Sequence, residues 1–208
     1  MHQWGNSMVV SEIKELDKKR SKIYLDGEFA FVLYKGEFRE YKVKEGEELD
    51  EACYRQIMEE LLPKRCKLRA MNLLQKKDYT ERQLRDKLAE GLYPSDIVDE
   101  AIDYVKSYRY LDDDRYARDY ITYHMETRSK ARITQDLMGK GISKDRITGI
   151  MEELYAEDDG EVELDQIRKL LEKKHYDPEE CDFAQKQKLM ALLMRKGFSM
   201  DTIRKAIQ

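Results

Sequence analysis

Leu73-Leu74-Gln75-Lys76-Lys77-Asp78-Tyr79 returns 97 residues later as Leu170-Leu171-Glu172-Lys173-Lys174-His175-Tyr176. The first copy closes a helical stripe made by Cys66, Ala70, Leu73, Leu74 and Lys77. Both copies lead into a helix start. Thr80-Glu81-Arg82-Gln83 is a capping box, in which the Thr hydroxyl and the Gln side chain satisfy opposed backbone N–H groups. Asp177-Pro178-Glu179-Glu180 offers a cap, a Pro at the first helical position and a Glu at the third. The helix that follows ends in spaced apolar residues and a glycine. Leu84 and Leu88 precede Gly91, Ile133 and Leu137 precede Gly141, and Leu189 and Leu193 precede Gly197. An apolar residue comes next (Leu92, Ile142 or Phe198), then a third amphipathic stretch entered at Ile97, Ile147 or Ile203. Glycine takes the left-handed conformation that ends a helix, and the apolar residue after it closes the hydrophobic contact. Three copies of helix, helix, glycine turn, helix follow.

Repetition at this period predicts stacked units, none of which buries its apolar face alone. The expected fold is mainly α, with tandem three-helix repeats in an elongated array, preceded by a small N-terminal antiparallel β segment. We divide the chain into a β-rich extension over 1–48, a connecting helix over 49–63, and repeats over 64–110, 111–156 and 157–208. Residues 9–13, 22–25 and 29–33 read as strands with Asp26-Gly27 as a hairpin turn, and 38–43 as a further strand. Asp50 is placed to cap the connecting helix and Pro63 to break or kink it. Lys174 and Gly197 lie further apart than Lys77 and Gly91, which predicts a middle helix about nine residues longer in the third repeat. The acidic run Glu157-Asp158-Asp159-Gly160-Glu161 that opens this repeat reads as a hinge.

With 39% charged residues among 208 and a mean hydropathy of −0.82, the chain is expected to be soluble. No apolar run nears the roughly 20 residues of a membrane helix. No basic stretch followed by an apolar one marks the N-terminus for secretion. Cys53, Cys66 and Cys181 are odd in number and widely spaced, as reduced thiols are. We therefore expect a cytoplasmic monomer with no membrane partner.

Catalysis finds no support, because neither a phosphate-binding loop nor a nucleophile elbow occurs. His2, His124 and His175 lack Cys or carboxylate neighbours at metal-ligand spacing and read as surface or helix-edge residues. Asp112-Asp113-Asp114 invites a metal, yet successive helix positions point apart. Asp112 as an N-cap, with the next two carboxylates complementing the helix dipole, is the stronger reading. No metal or cofactor is expected, and Thr80, Asp112 and Asp177 are assigned as structural caps.

The net charge of −4 conceals a division. Residues 1–63 carry 10 basic and 14 acidic side chains, 64–147 carry 19 and 15, and 148–208 carry 10 and 14. A basic middle between acidic ends points to a polyanion or a mixed partner surface. Lys64, Arg65, Lys67 and Arg69 open the repeat array, and Arg82 and Arg85 lie on the next helix. Arg115 and Arg118 flank Tyr116 and Tyr120, where cation and ring could share a face. Arg128, Lys130 and Arg132 sit at a helix junction, where the macrodipole gives Lys130 and Arg132 no benefit. These eleven are the contact candidates, the alternative being a solvated charged face.

Taken together, the strings Ala70 to Leu88, Tyr110 to Ala117, Arg128 to Ile133 with Lys140-Gly141-Ile142, and Arg195 to Ser199 resemble the RecX family of regulators of the RecA recombinase. The resemblance covers about residues 64–208, and the strand segment looks like an extension of longer members. Where that family carries a Gly before its second-repeat basic helix, this chain has Arg128-Ser129-Lys130. The resemblance implies RecA and its filament on single-stranded DNA as partners, with direct DNA contact. It implies lodging along the filament groove and restraint of ATP hydrolysis, strand exchange and filament growth.

Overall fold

A computed structural model describes residues 8–207, so the reading of His2 lies outside the described residues. Strand β1 spans Met8–Glu15, β2 Arg20–Leu25, β3 Glu28–Tyr34 and β4 Glu48–Leu49. They form one antiparallel sheet in the order β3-β2-β1-β4. Alternation decides which face is covered: Ser21, Ile23 and Leu25 point inward while their neighbours stay half-exposed. Asp26 and Gly27, both at positive φ, close the β2–β3 hairpin. Residues 38–43 are not a strand. The Tyr41 N–H is bonded to the Glu37 carbonyl and the Val43 N–H to that of Phe38, so local turns take the groups a ladder would need. The edge of β1 is paired by β4 instead.

The Asp50 carboxylate accepts from the Ala52 N–H and starts a helix that Pro63 does not break. Helix α1 (Glu51–Arg55) passes through a π-helical segment (Gln56–Leu61) directly into α2 (Leu62–Leu74). A proline lacks an N–H and crowds the carbonyl four residues back, and the widened turn ahead of Pro63 accommodates both defects.

The first repeat continues with α3 (Glu81–Ala89) and α4 (Ser95–Ser107), the second is α5 (Asp113–His124), α6 (Lys130–Gly139) and α7 (Lys144–Leu154), and the third is α8 (Glu161–Lys173), α9 (Phe183–Arg195) and α10 (Met200–Ile207). The chain divides into two compact units, the first closing at Leu111 and the second opening at Asp112. In the first, the sheet and α1–α4 share one apolar core that includes Ile23, Phe31, Ile57, Leu84 and Ile102. In the second, α5–α7 enclose Ile121, Ile133, Leu137 and Ile147, and α8–α10 separately enclose Ile167, Leu193, Phe198 and Ile203.

Three local expectations need correction. Gly141 and Gly197 take positive φ, but in the first repeat the left-handed residue is Leu92; Gly91 is instead pressed under the Tyr93 ring, which an added Cβ would meet at 2.5 Å. Asp177 does not cap α9. Its carboxylate accepts from the Glu179 N–H, and its carbonyl from the Cys181 N–H, closing an isolated turn. The cap is Asp182, which forms a capping box with Gln185 and is followed by the residues that reach the third core. Accordingly α9 has 13 residues against nine in α3, and the rest of the extra spacing lies in the connection before it.

Cys66 is fully buried, and burial first, then Glu100, pushes its thiol up to about 12. A neutral thiol reagent is expected to label Cys53 and Cys181 in the native protein and Cys66 only after denaturation, as mass spectrometry would show. Equal labelling of all three would mean that the first core opens readily.

Candidate nucleic-acid interface

Most of the cations singled out in the sequence are held by carboxylates of their own unit. Arg65 donates to the Val32 carbonyl at 3.1 Å and to Glu37, with its guanidinium 4.8 Å from the Tyr34 ring centre, so it ties α2 to the sheet. Lys67 pairs with Glu100 at 2.6 Å, and Arg85 bridges Glu81 and Asp99. Arg118 pairs with Glu153. The Tyr116 and Tyr120 rings stack, but the cation over them is Lys140 from the end of α6, not Arg118. Arg115 lies exposed on α5. Lys64, Arg69 and Arg82 are exposed, and among the described residues no carboxylate pairs with them.

The caps position the helices that carry these groups. Thr80 and Gln83 exchange hydrogen bonds at 3.3 and 3.2 Å, and the Asp112 carboxylate accepts from the N–H groups of Asp114 and Arg115, both at 3.0 Å. Asp113 and Asp114 face Arg146. Among the described residues no cluster of three His, Cys, Asp or Glu side chains is placed to hold a metal ion.

Val162 of α8 packs against the apolar core of the second repeat, and polar contacts add to this junction between the two repeats of the second unit. Ser129 is buried. It caps α6 by accepting from the Arg132 N–H and donates to the Lys196 carbonyl at 2.7 Å. Glu163 of α8 accepts from the Lys130 N–H at 2.8 Å, and the Gln166 amide donates to the carbonyls of Met125 and Arg128. The Lys130 ammonium lies 3.2 Å from Asp158 and 4.1 Å from the Tyr155 ring centre. Burial alone would raise the Asp158 carboxyl, but the Val162 and Gly160 N–H groups and Lys130 outweigh it and hold it below the usual carboxylate range. The acidic run read as a hinge is thus anchored to α6 and caps α8.

Beside this junction opens a cleft of about 660 Å³. Arg128 and Arg132 share one carboxylate, Asp136, and line one wall. Lys169 and Lys173 of α8 and Arg195 and Lys196 at the end of α9 line the other, and Leu170 and Phe198 are also on the lining. Those four cations are exposed, and among the described residues none has an ion-pair partner. Glu126 is the one acidic side chain on the lining. His124 lies against Tyr120 and Tyr123, and burial, then the charge of Arg128, lowers its pKa.

The family models for the first and third three-helix domains of RecX match residues 66–104 and 161–207. Along nearly its whole length the chain is 30% identical to the regulatory protein RecX of Caldanaerobacter subterraneus subsp. tengcongensis, over 201 residues that cover 96% of this chain and 98% of that protein. The chain belongs to the RecX family. A second RecX relative, from Clostridium perfringens strain 13, is 30% identical over 193 residues, covering 91% of this chain and 89% of its own. A crystal structure of regulatory protein RecX superposes with a TM-score of 0.64 at 25% identity, covering 96% of this chain and 98% of that one. The RecX of Lactobacillus salivarius has the same fold, at a TM-score of 0.63 over 71% of this chain and 95% of that one. Ser129 supplies a hydroxyl that both caps α6 and reaches the third repeat. Of the cleft residues, the sequence had marked only Arg128 and Arg132. Arg195 and Lys196 lay in a string used for the resemblance and Lys173 in the repeated string, but none was read as a contact, since cations near a helix C-terminus suit the macrodipole anyway, and Lys169 carried no local signal.

Proposed function

We infer that this RecX protein is a cytoplasmic, monomeric regulator, not an enzyme, that binds the RecA filament on single-stranded DNA. It limits ATP hydrolysis, strand exchange and filament extension. The observation that carries this reading is the full-length similarity to proteins named as regulatory RecX. The unpaired cations Lys64, Arg69 and Arg82 in the first unit and those of the cleft in the second are the assigned contacts with filament and DNA. Arg65, Lys67, Arg85, Arg118 and Lys130 are left to hold the fold.

The test is RecA's DNA-dependent ATPase titrated with this protein. The rate is expected to fall with increasing protein to a plateau, together with co-sedimentation on preformed filaments. An unchanged rate at saturating protein and no filament binding would refute the reading. The second reading, a nucleic-acid-binding helical module that acts without RecA, is favoured by the cleft alone. It predicts oligonucleotide binding with the ATPase unaffected.

A further inference from the structure

We propose that the cleft between the second and third repeats seats the phosphodiester backbone of single-stranded DNA, and that its occupancy clamps the two repeats together. This rests on the DNA-contact part of the reading above and does not involve RecA.

Charge is the first reason. Four exposed cations without partners, and two arginines sharing a single carboxylate, face one another across a cavity with one acidic lining residue. The macrodipole explains a cation in the last turn of α8 or α9 taken singly. It does not explain why both helix ends and the Arg128–Arg132 wall converge, since like charges gathered this way repel unless an anion fills the space between them. Shape is the second. About 660 Å³ is far more than one ion needs, and the half-buried Leu170 adds apolar surface to the lining, whereas Phe198 is held in the third-repeat core. An extended single strand brings a series of phosphates to a positively charged groove and can lay a base against the apolar side chain beside it.

The clamp follows from where the walls come from. One wall belongs to α6 and the turn before it and the other to α8 and α9, and they are joined by the polar set around Ser129, Glu163 and Gln166, by the Lys130–Asp158 pair and by Val162 of α8 against the second-repeat core. A ligand that binds both walls adds its binding free energy to the docked arrangement.

The probe is labelled oligothymidylate, with no recombinase present. Replacing Lys169, Lys173 and Lys196 together by Gln is expected to weaken binding at least about tenfold and to lower the salt slope by about 2, at roughly 0.7 per phosphate contact on a single strand. The control, Lys14→Gln with Lys18→Gln and Lys19→Gln, removes the same charge from exposed sites on or beside the sheet and should change binding little. Saturating oligonucleotide should also raise the unfolding midpoint of the unaltered protein and not that of the cleft variant. Lysine acetylation of the unaltered protein gives a readout independent of variant folding: the oligonucleotide should protect Lys169, Lys173 and Lys196 and leave Lys14, Lys18 and Lys19 reactive. Equal losses in both triple variants, absent protection, or displacement of the oligonucleotide by polyglutamate at matched charge would each overturn the proposal. Any of these leaves RecA regulation standing, since that is read by the ATPase titration.

Discussion

Gly197→Ala is expected to destabilise the second unit by about 2–4 kcal/mol, the sum of a strained backbone and a broken junction. Gly197 has φ +93, where a Cβ is unfavourable whatever the space around it. Here the space is filled as well. The added carbon would lie 2.6 Å from the Ser129 hydroxyl and 3.3 Å from the Ala131 Cβ. Ser129 cannot yield without loss, because the same oxygen caps α6 and donates to the Lys196 carbonyl. Urea unfolding of the full chain followed by far-ultraviolet circular dichroism measures the cost. Gly149 is the internal comparison: it lies within α7 with open space where its Cβ would be. Gly149→Ala should stabilise by about 0.5–1 kcal/mol through helix propensity alone. A cost below about 1 kcal/mol for Gly197→Ala would mean that the two repeats do not meet as tightly as the Ser129 contact requires.

Arg65→Ala should cost about 2–3 kcal/mol, through the sheet and not through any partner. The Arg65 side chain is 17% exposed and that of Glu37 21%, so truncation leaves a largely buried carboxylate, held by the Tyr34 N–H, without its cation, and the Val32 carbonyl without the guanidinium donor. The estimate sits below that for a fully buried pair because water still reaches both groups. Arg65→Lys should recover only part, as a single ammonium cannot reproduce the fork that serves a carboxylate and a carbonyl together. Arg69→Ala, on the same helix but exposed and unpaired, should stay within about 0.5 kcal/mol of the parent. The reverse order, Arg69 costly for folding and Arg65 neutral, would contradict the internal role of Arg65.

The repeats were legible because helix starts and stops are local chemistry. The Thr80–Gln83 box, the Asp112 cap and the glycines at 141 and 197 act over a few residues, and so did the two hairpin strands around Asp26-Gly27. Where local signals competed, the sequence misled. Asp177-Pro178 reads as a helix start, yet the helix begins after Asp182, where the apolar residues that follow reach a core. Pro63 breaks most helices, yet here a π segment just upstream carries the helix through it.

The candidate site was legible only in part. A cation's availability depends on carboxylates far along the chain: Arg65 meets Glu37 across 28 residues and Lys67 meets Glu100 across 33. The cleft draws on 126–132, 166–173 and 195–198, three stretches that no sequence window contains. By itself the sequence determined the repeated three-helix unit, the caps at Thr80 and Asp112 and the resemblance to its family, since these rest on signals within a few turns. Only the tertiary structure decided which positive charges are neutralised within the fold and which remain for a ligand, because an ion pair depends on distance in space, and spacing along the chain does not give it.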